Sequence, residues 1–556
     1  MTEGVRFDSA LGGRNRTAAG WAARFPWPAV LLAVPLAFLA VFFAYPVASI
    51  VGLGLDGSAW DVVTDPDVLS VLWFTAWQAT ASTVLTLVVA LPGAYVFARL
   101  DFPGKSLLRA VVTVPFVLPT VVVGAAFLAL VGRDGLLGLE LDRTVWAILA
   151  AHVFFNYAVV VRTVGGLWAH LDPRQEEAAQ VLGANRWRAW LGVTLPALAP
   201  AIGAAALMVF LFTFTSFGVV QILGGPNYAT LEVEIYRQTA QLLDLPVAAV
   251  LSLLQFAVVC LLLAFHSWTV RRREASLRLV SAVQGARRPR GAGQWAFLVG
   301  NLVVMVVLLL GPLAVLVERS FATADGYALT YYRALGRNDS DSTLFVPPWE
   351  AVGNSIAFAA AATLIALVVG GLAAAAMTRR AGRFVRGVDA LLMLPLGTSA
   401  VTVGFGFLIA LDTPPLDLRQ SVLLVPLAQA LVAVPFVVRT ILPVLRAVDD
   451  RLREAAAVLG ASPLRAWREV DLPIVWRALL VAAGFAFAVS LGEFGATVFI
   501  ARPDTPTLPI AIFRFLARPG ELNYGQAMAL STILMLLCAG ALLALERLHL
   551  DRSGEF

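Results

Sequence analysis

Long apolar runs, separated by short polar stretches, recur along the whole chain. Twelve reach the roughly 20 residues that a bilayer-crossing helix needs, at about 27–50, 69–97, 107–131, 144–166, 197–222, 247–270, 295–317, 351–378, 387–411, 420–445, 474–499 and 525–546. Trp27 and Tyr45 bracket the first run, as interfacial aromatic residues do. Pro115 and Pro119 lie inside the third, where neighbouring helices can satisfy the freed carbonyls. The pattern predicts an all-α, polytopic membrane protein. Arg6, Arg14, Arg16 and Arg24 precede the first run. That run is too long for the apolar core of a signal peptide, so it is expected to be a retained first span.

Composition agrees. Of 556 residues, 59% are hydrophobic and 14% charged, with mean hydropathy +0.81, whereas a soluble domain has about a quarter of its residues charged. The net charge is +5, and in such a protein a basic excess reflects loop charge on the cytoplasmic side, not nucleic acid. With the N-terminus in the cytoplasm and sides alternating, that side holds 31 of the 41 basic residues, Arg162 and Arg439 at helix ends included, and the other side 10. The bias predicts cytoplasmic N- and C-termini. The most basic connection, 271–294, carries Arg271, Arg272, Arg273, Arg278, Arg287, Arg288 and Arg290 and suits a solvated linker beside anionic lipid. Cys260 and Cys538 fall inside apolar runs, where they are expected to be small core residues without disulfide or zinc chemistry.

The chain also repeats itself. A shift of 277 residues places Val161-Arg162-Thr163 on Val438-Arg439-Thr440, Glu177-Ala178-Ala179 on Glu454-Ala455-Ala456, and Arg188-Ala189-Trp190 on Arg465-Ala466-Trp467. The same shift places Phe217-Gly218 on Phe494-Gly495. The register holds without a gap over about 151–237, and upstream Pro115 and Gly124 pair with Pro395 and Gly404 at a shift of 280. Six spans per repeat is an even number, so both repeats enter the membrane in the same sense. Two six-helix bundles related by a pseudo-two-fold axis along the membrane normal follow, with a pathway between them; many secondary transporters have inverted repeats instead.

The longest shared polar segment lies between the fourth and fifth spans of each repeat. In the first copy Asp172 is expected to cap a helix, Pro173 to start it and Gln175 to complete a capping box. Glu176 and Glu177 sit where the helix dipole favours negative charge. Gly183 ends this helix, as Gly460 does in the second copy, where Ser462-Pro463 opens another. Pro196 and Pro473 mark the return to the membrane. Each copy predicts helix, glycine turn, helix, with Ala178-Ala179 and Ala455-Ala456 giving a low face that another protein can approach.

Glu-Ala-Ala, three residues, Gly, nine residues, an aliphatic, one residue and Leu-Pro resembles the signature of binding-protein-dependent ABC importer permeases. Both copies match it, through Glu177, Ala178, Ala179, Gly183, Val193, Leu195 and Pro196, and through Glu454, Ala455, Ala456, Gly460, Val470, Leu472 and Pro473; the aliphatic is Val where the family often has Ile. The resemblance implies the type I ABC importer permease fold in a bacterial cytoplasmic (inner) membrane. It implies coupling loops that seat on a cytoplasmic ATPase dimer, and an extracytoplasmic solute-binding protein as second partner. The expected organisation is a cytoplasmic N-terminal segment 1–26, a first membrane permease domain 27–270, a cytoplasmic basic linker 271–294, a second membrane permease domain 295–546 and a cytoplasmic tail 547–556.

No cofactor or metal is expected. Phe102-Pro103-Gly104-Lys105-Ser106 ends like a phosphate-binding loop, but Arg99 stands where its first glycine belongs, so ATP hydrolysis is assigned to a separate subunit. His170, His266 and His549 lie near cytoplasmic helix ends and suit solvated positions. No His/Cys cluster suggests a bound metal. At membrane depth a polar side chain needs a partner or a wet pathway. Glu493, placed mid-span in the eleventh helix, and its repeat-mate Ser216 are pathway candidates, as are His152 and its repeat-mate Gln429. Glu493 is expected either to face the pathway or to pair with an arginine, and His152 to line the pathway or bond a neighbouring helix. Two domains fused in one chain resemble the branch that handles thiamine or ferric iron. Ala151 to Asn156 and Thr230 to Tyr236 are similar to thiamine permeases, while Gly492 to Thr497 also resembles molybdate and sulfate permeases. A secondary transporter is the rival class; the paired loops argue against it. A membrane enzyme would need a convergent nucleophile, base and metal set, which is not evident.

Overall fold

Proline and polar punctuation, more than apolar length, decides where these helices bend. The computed structural model describes residues 27–55, 59–133, 135–272, 286–337, 344–378, 383–412, 414 and 416–550. The expected N-terminal segment 1–26, the linker residues Arg273 and Arg278, and residues 551–556 of the tail lie outside these. So do the side chains of Arg271, Arg272, His266 and His549. Among the described residues ten helices are long and apolar enough to cross a membrane. In the first repeat they are Leu31–Gly54, Pro66–Arg99, Val145–His170, Arg186–Phe214 and Leu245–Ala264. In the second they are Gly291–Arg319, Pro348–Thr378, Leu424–Ala447, Pro463–Leu491 and Glu521–Ala544.

The expected third and ninth spans are not single rods. Lys105–Val117 meets Thr120–Val131 at 103°, and Val385–Gly397 meets Ala400–Ala410 at 96°. In the first pair Pro119 forces Leu118 into extended backbone (φ −69°, ψ 139°), because the proline ring excludes helical geometry from the residue before it. No proline holds the second break. There Ser399 takes extended backbone (φ −64°, ψ 144°) and its hydroxyl accepts from Thr402 N–H, as an N-cap does.

The first bent pair nonetheless carries the chain across. Helices Pro66–Arg99 and Val145–His170 lie parallel. Ser82 faces His152 (3.0 Å), Ala94 backs onto Gly165, and Arg99 Nη1 donates to Leu171 O (3.0 Å) at their C-terminal ends. Since both helices end on one face, the stretch between them must return to the other. The second bent pair holds the equivalent place in its repeat.

The pseudo-symmetry extends to single hydrogen bonds. Leu231 N–H donates to Thr75 Oγ1 (3.0 Å), and Leu508 N–H, 277 residues on, donates to Ser355 Oγ (2.7 Å). The repeats also exchange their first helices. Leu32, Phe38 and Phe43 of Leu31–Gly54 are buried among second-repeat residues such as Phe358 and Val403, with Phe42 against Phe407 (6.0 Å). Met305, Leu309 and Leu316 of Gly291–Arg319 are buried among first-repeat residues, with Phe297 edge-on to Tyr95 (5.8 Å). Cys538 is buried as expected, but Cys260 is exposed on the outward side of its helix, the side a lipid-facing residue takes.

Candidate functional site

The polar loop after the fourth helix of each repeat folds into an elbow. In the first, helix Arg174–Val181 starts one residue beyond Pro173, and Asp172 Oδ1 accepts from Arg174 N–H (3.0 Å). In the second, Asp450–Val458 starts at an equivalent Asp449 carboxylate, which accepts from Arg451 N–H (3.0 Å). No side-chain bond from Gln175 closes a capping box; its backbone N–H donates to Asp172 O. Gly183 (φ +91°) and Gly460 (φ +82°) then turn the chain in left-handed backbone, where a Cβ is penalised.

The next helix is not a separate element, as the sequence pattern led us to expect. It begins at Asn185 and Ser462, whose side chains accept from Arg188 N–H (2.8 Å) and Arg465 N–H (3.4 Å). It then runs on into the membrane as Arg186–Phe214 and Pro463–Leu491. A π-turn, Trp190–Thr194 or Trp467–Asp471, lies just before each Leu-Pro. Pro196 and Pro473 lack an N–H and crowd the preceding turn, and the wider π-turn absorbs both defects.

What each elbow displays was only half visible in the sequence. Ala178 and Ala455 are exposed, but Val181 (87%), Leu182 (88%), Val458 (87%) and Leu459 (88%) stand out more, with Trp187 and Leu464 beside them. These positions match one to one at a shift of 277. The repeat made them findable; aliphatic residues near a helix end were not singled out because they read as ordinary packing.

The four residues considered for the pathway separate into two kinds. His152 is buried between repeats of polar contacts: Nδ1 faces Ser82 Oγ (3.0 Å) and Nε2 faces Ser216 Oγ (2.9 Å). It thus ties the second and fourth helices to the end of the fifth. Gln429, its equivalent, is buried with Oε1 unpartnered among the described residues. Glu493 is not mid-span. The eleventh helix ends at Leu491, and Glu493 sits in the break beyond it. Its carboxylate accepts from Ala496 N–H (2.6 Å), Thr497 N–H (3.0 Å) and the Thr497 hydroxyl. It caps the short helix Thr497–Ile500 and pairs with no arginine among the described residues. A buried carboxylate is satisfied here by local N–H groups at a helix start.

Beside Glu493 lies a cluster that the sequence reading noted only as a repeat match. Phe217 stacks on its own equivalent Phe494 (5.1 Å, 22°). Tyr236 packs on Phe217 (5.5 Å), and its equivalent Phe513 on Phe494 (5.4 Å). Equivalent residues can touch each other only at the pseudo-two-fold axis, so this cluster marks that axis.

With this geometry in place, kinship can be read. Residues 90–274 and 366–553 both match the family of the binding-protein-dependent transport system inner membrane component. The chain belongs to that family. It is a permease, a multi-pass protein of the inner membrane and a transport component. Relatives extend along nearly its whole length. A thiamine transport system permease protein of Brucella abortus (strain 2308) is 27% identical over 540 residues, covering 94% of this chain and 95% of the relative. One from Escherichia coli (strain K12) is 28% identical over 545 residues, covering 93% and 95%. A probable ABC transporter permease protein of Sinorhizobium fredii is 25% identical over 517 residues, covering 88% and 89%. No relative matches a single repeat alone in these three cases; both repeats of this permease align.

Proposed function

We propose that this permease forms the translocation pathway of an ATP-driven importer for thiamine, with its two elbows seated on a separate cytoplasmic ATPase dimer. The observation that carries the coupling is the matched exposure of Val181-Leu182 and Val458-Leu459. Apolar pairs held this far into water call for a covering partner, and two equivalent copies call for a two-fold one. Glu177, Ala178, Ala179 and Gly183, with Glu454, Ala455, Ala456 and Gly460, shape the same surfaces, while Leu195-Pro196 and Leu472-Pro473 anchor them to the membrane. The basic bias supports placing the elbows and both termini in the cytoplasm, with a solute-binding protein on the opposite face. The membrane domains proposed are 27–270 and 295–546, joined by the linker 271–294.

Each elbow is continuous with a long helix, so displacement of an elbow moves that helix as a rod. Closure of the ATPase dimer on ATP draws the elbows together and rocks the repeats about their axis. Moving such an equilibrium from 1:99 to 99:1 takes about 5.5 kcal/mol of differential binding, within reach of closure on two nucleotides. Thiamine as substrate rests on the relatives that carry it in their names and cover both repeats.

The test is ATP-driven uptake into vesicles holding permease, ATPase and binding protein. Val181→Ser with Leu182→Ser, or Val458→Ser with Leu459→Ser, should lower ATPase co-purification at least tenfold, as loss of an interface hot spot does. All four changes together should abolish thiamine uptake. Wild-type co-purification with all four in place would refute docking through the elbows. Uptake of ferric iron without thiamine would refute the substrate.

A further inference from the structure

We propose that Phe217, Tyr236, Phe494 and Phe513 form a four-ring seal that closes the translocation pathway on the face opposite the elbows. This deepens the importer reading and rests on it for the pathway's course between the repeats. The rings close on themselves. Phe217 meets Phe494 (5.1 Å), Phe494 meets Phe513 (5.4 Å), Phe513 meets Tyr236 (6.2 Å) and Tyr236 meets Phe217 (5.5 Å). Each spacing is in the range of touching aromatic rings, and both phenylalanines at the axis are buried.

Position argues for a seal over ordinary packing. A pathway between two repeats must run along their axis, and Phe217 and Phe494 sit on it. Neither belongs to a long rod. Both lie in the breaks where the fifth and eleventh helices stop, at Phe214 and Leu491. Tyr236 and Phe513 ride on the short helices Leu231–Arg237 and Leu508–Leu516. The fifth helix starts at an elbow and ends at this cluster, which therefore lies far from the elbows. Behind the rings, kink is seated on kink. A Cβ on Gly218 would come within 2.3 Å of Thr120 Oγ1, and one on Gly495 within 3.0 Å of Ala400 Cβ, both at the starts of the second arms of the bent pairs.

Two contacts, Phe217–Phe494 and Tyr236–Phe513, join the repeats; the other two lie within a repeat. Rocking the repeats apart splits the seal into two intact pairs, one carried by each half, without unfolding either.

Proteoliposomes holding permease and ATPase, loaded with thiamine and choline but given no ATP and no binding protein, test this. Wild-type protein should retain both solutes. Phe217→Ala with Phe494→Ala should release both at least tenfold faster, because an open seal does not discriminate between small cations. Phe217→Leu with Phe494→Leu keeps apolar bulk but loses the ring faces, and should release them about threefold faster. Wild-type retention by the leucine variant overturns the seal, whether or not the alanine variant folds. Normal ATPase co-purification of the leucine variant, measured alongside, separates failure of the seal from failure of the elbows.

Discussion

The two elbows are braced at the same pair of positions by different chemistry. In the first, Thr194 at the end of the π-turn donates its hydroxyl to Glu176 Oε2 (2.8 Å). In the second, 277 residues on, Arg453 Nε donates to Asp471 Oδ1 (2.8 Å). The acceptor has changed sides and a neutral partner has become a charge, yet both ties hold the elbow helix to the root of the membrane helix. What the repeat preserves is a contact, not a residue. The second brace is also the drier one. Asp471 is 3% exposed, and Arg453 makes further bonds to Asp450 Oδ1 (2.6 Å) and Leu445 O (3.3 Å).

The largest effect should come from breaking that second brace. Arg453→Ala leaves the Asp471 carboxylate buried without its cation, which costs about 3 kcal/mol, the low end of the usual range because the Arg453 side chain is 22% exposed. Thr194→Ala removes a single hydrogen bond to a half-buried carboxylate and should cost about 1 kcal/mol. Thermal inactivation of the purified permease, compared between the two variants, reads the difference. Arg453→Glu with Asp471→Thr rebuilds the first elbow's brace in the second and should recover most of the loss. Equal losses at the two elbows, or no recovery, would show that the braces are not equivalent devices.

The buried polar centres offer a smaller contrast of the same kind. His152→Ala strips Ser82 and Ser216 of their partner and should cost about 2 kcal/mol, since buried hydroxyls left unpaired are penalised. Gln429→Leu, at the equivalent position, removes a side-chain oxygen that has no partner and should cost under about 0.5 kcal/mol. If the two variants inactivate at the same temperature, the first repeat's three-residue tie has no special part in its stability.

Why some of this was legible beforehand follows from period and register. Twelve apolar runs were visible because a membrane span is a length and a composition, and the elbows because glycine and Leu-Pro recur at fixed spacing. The 103° bend at Leu118-Pro119 could have been read from the proline; the 96° bend at Ser399 could not, because a serine N-cap inside an apolar run has no distinctive pattern. Glu493 was misplaced for a related reason. The apolar run continues past Leu491, so the helix end is invisible, and a carboxylate capping a four-residue helix looks in sequence like a charge in mid-membrane. The exchange of first helices was out of reach, since one lipid-length apolar helix carries no mark of which repeat it will cover.

The smallest effect concerns a tie that only the first elbow has. Arg287, from the linker between the repeats, donates through Nη2 to Glu177 Oε1 (2.7 Å), and its backbone is pinned on both sides, N–H to Arg99 O (2.9 Å) and O from Asp101 N–H (3.0 Å). Glu454 has no such partner among the described residues. Both side chains of the pair are at least half exposed, so salt and water screen it and its worth to stability is at most about 1 kcal/mol. Its location gives it a reading that stability misses. A carboxylate on the elbow already engaged by the linker must trade that arginine for whatever the ATPase presents, while the second elbow trades nothing. Arg287→Ala should therefore leave thermal inactivation unchanged and tighten ATPase association modestly, by about two- to threefold at low salt, with the gain vanishing as salt screens the pair. Glu177→Gln should respond little to the same substitution, because the charge it would release is gone. A gain that persists at high salt, or one that appears equally in Glu177→Gln, would place the effect in the linker backbone and not in the ion pair.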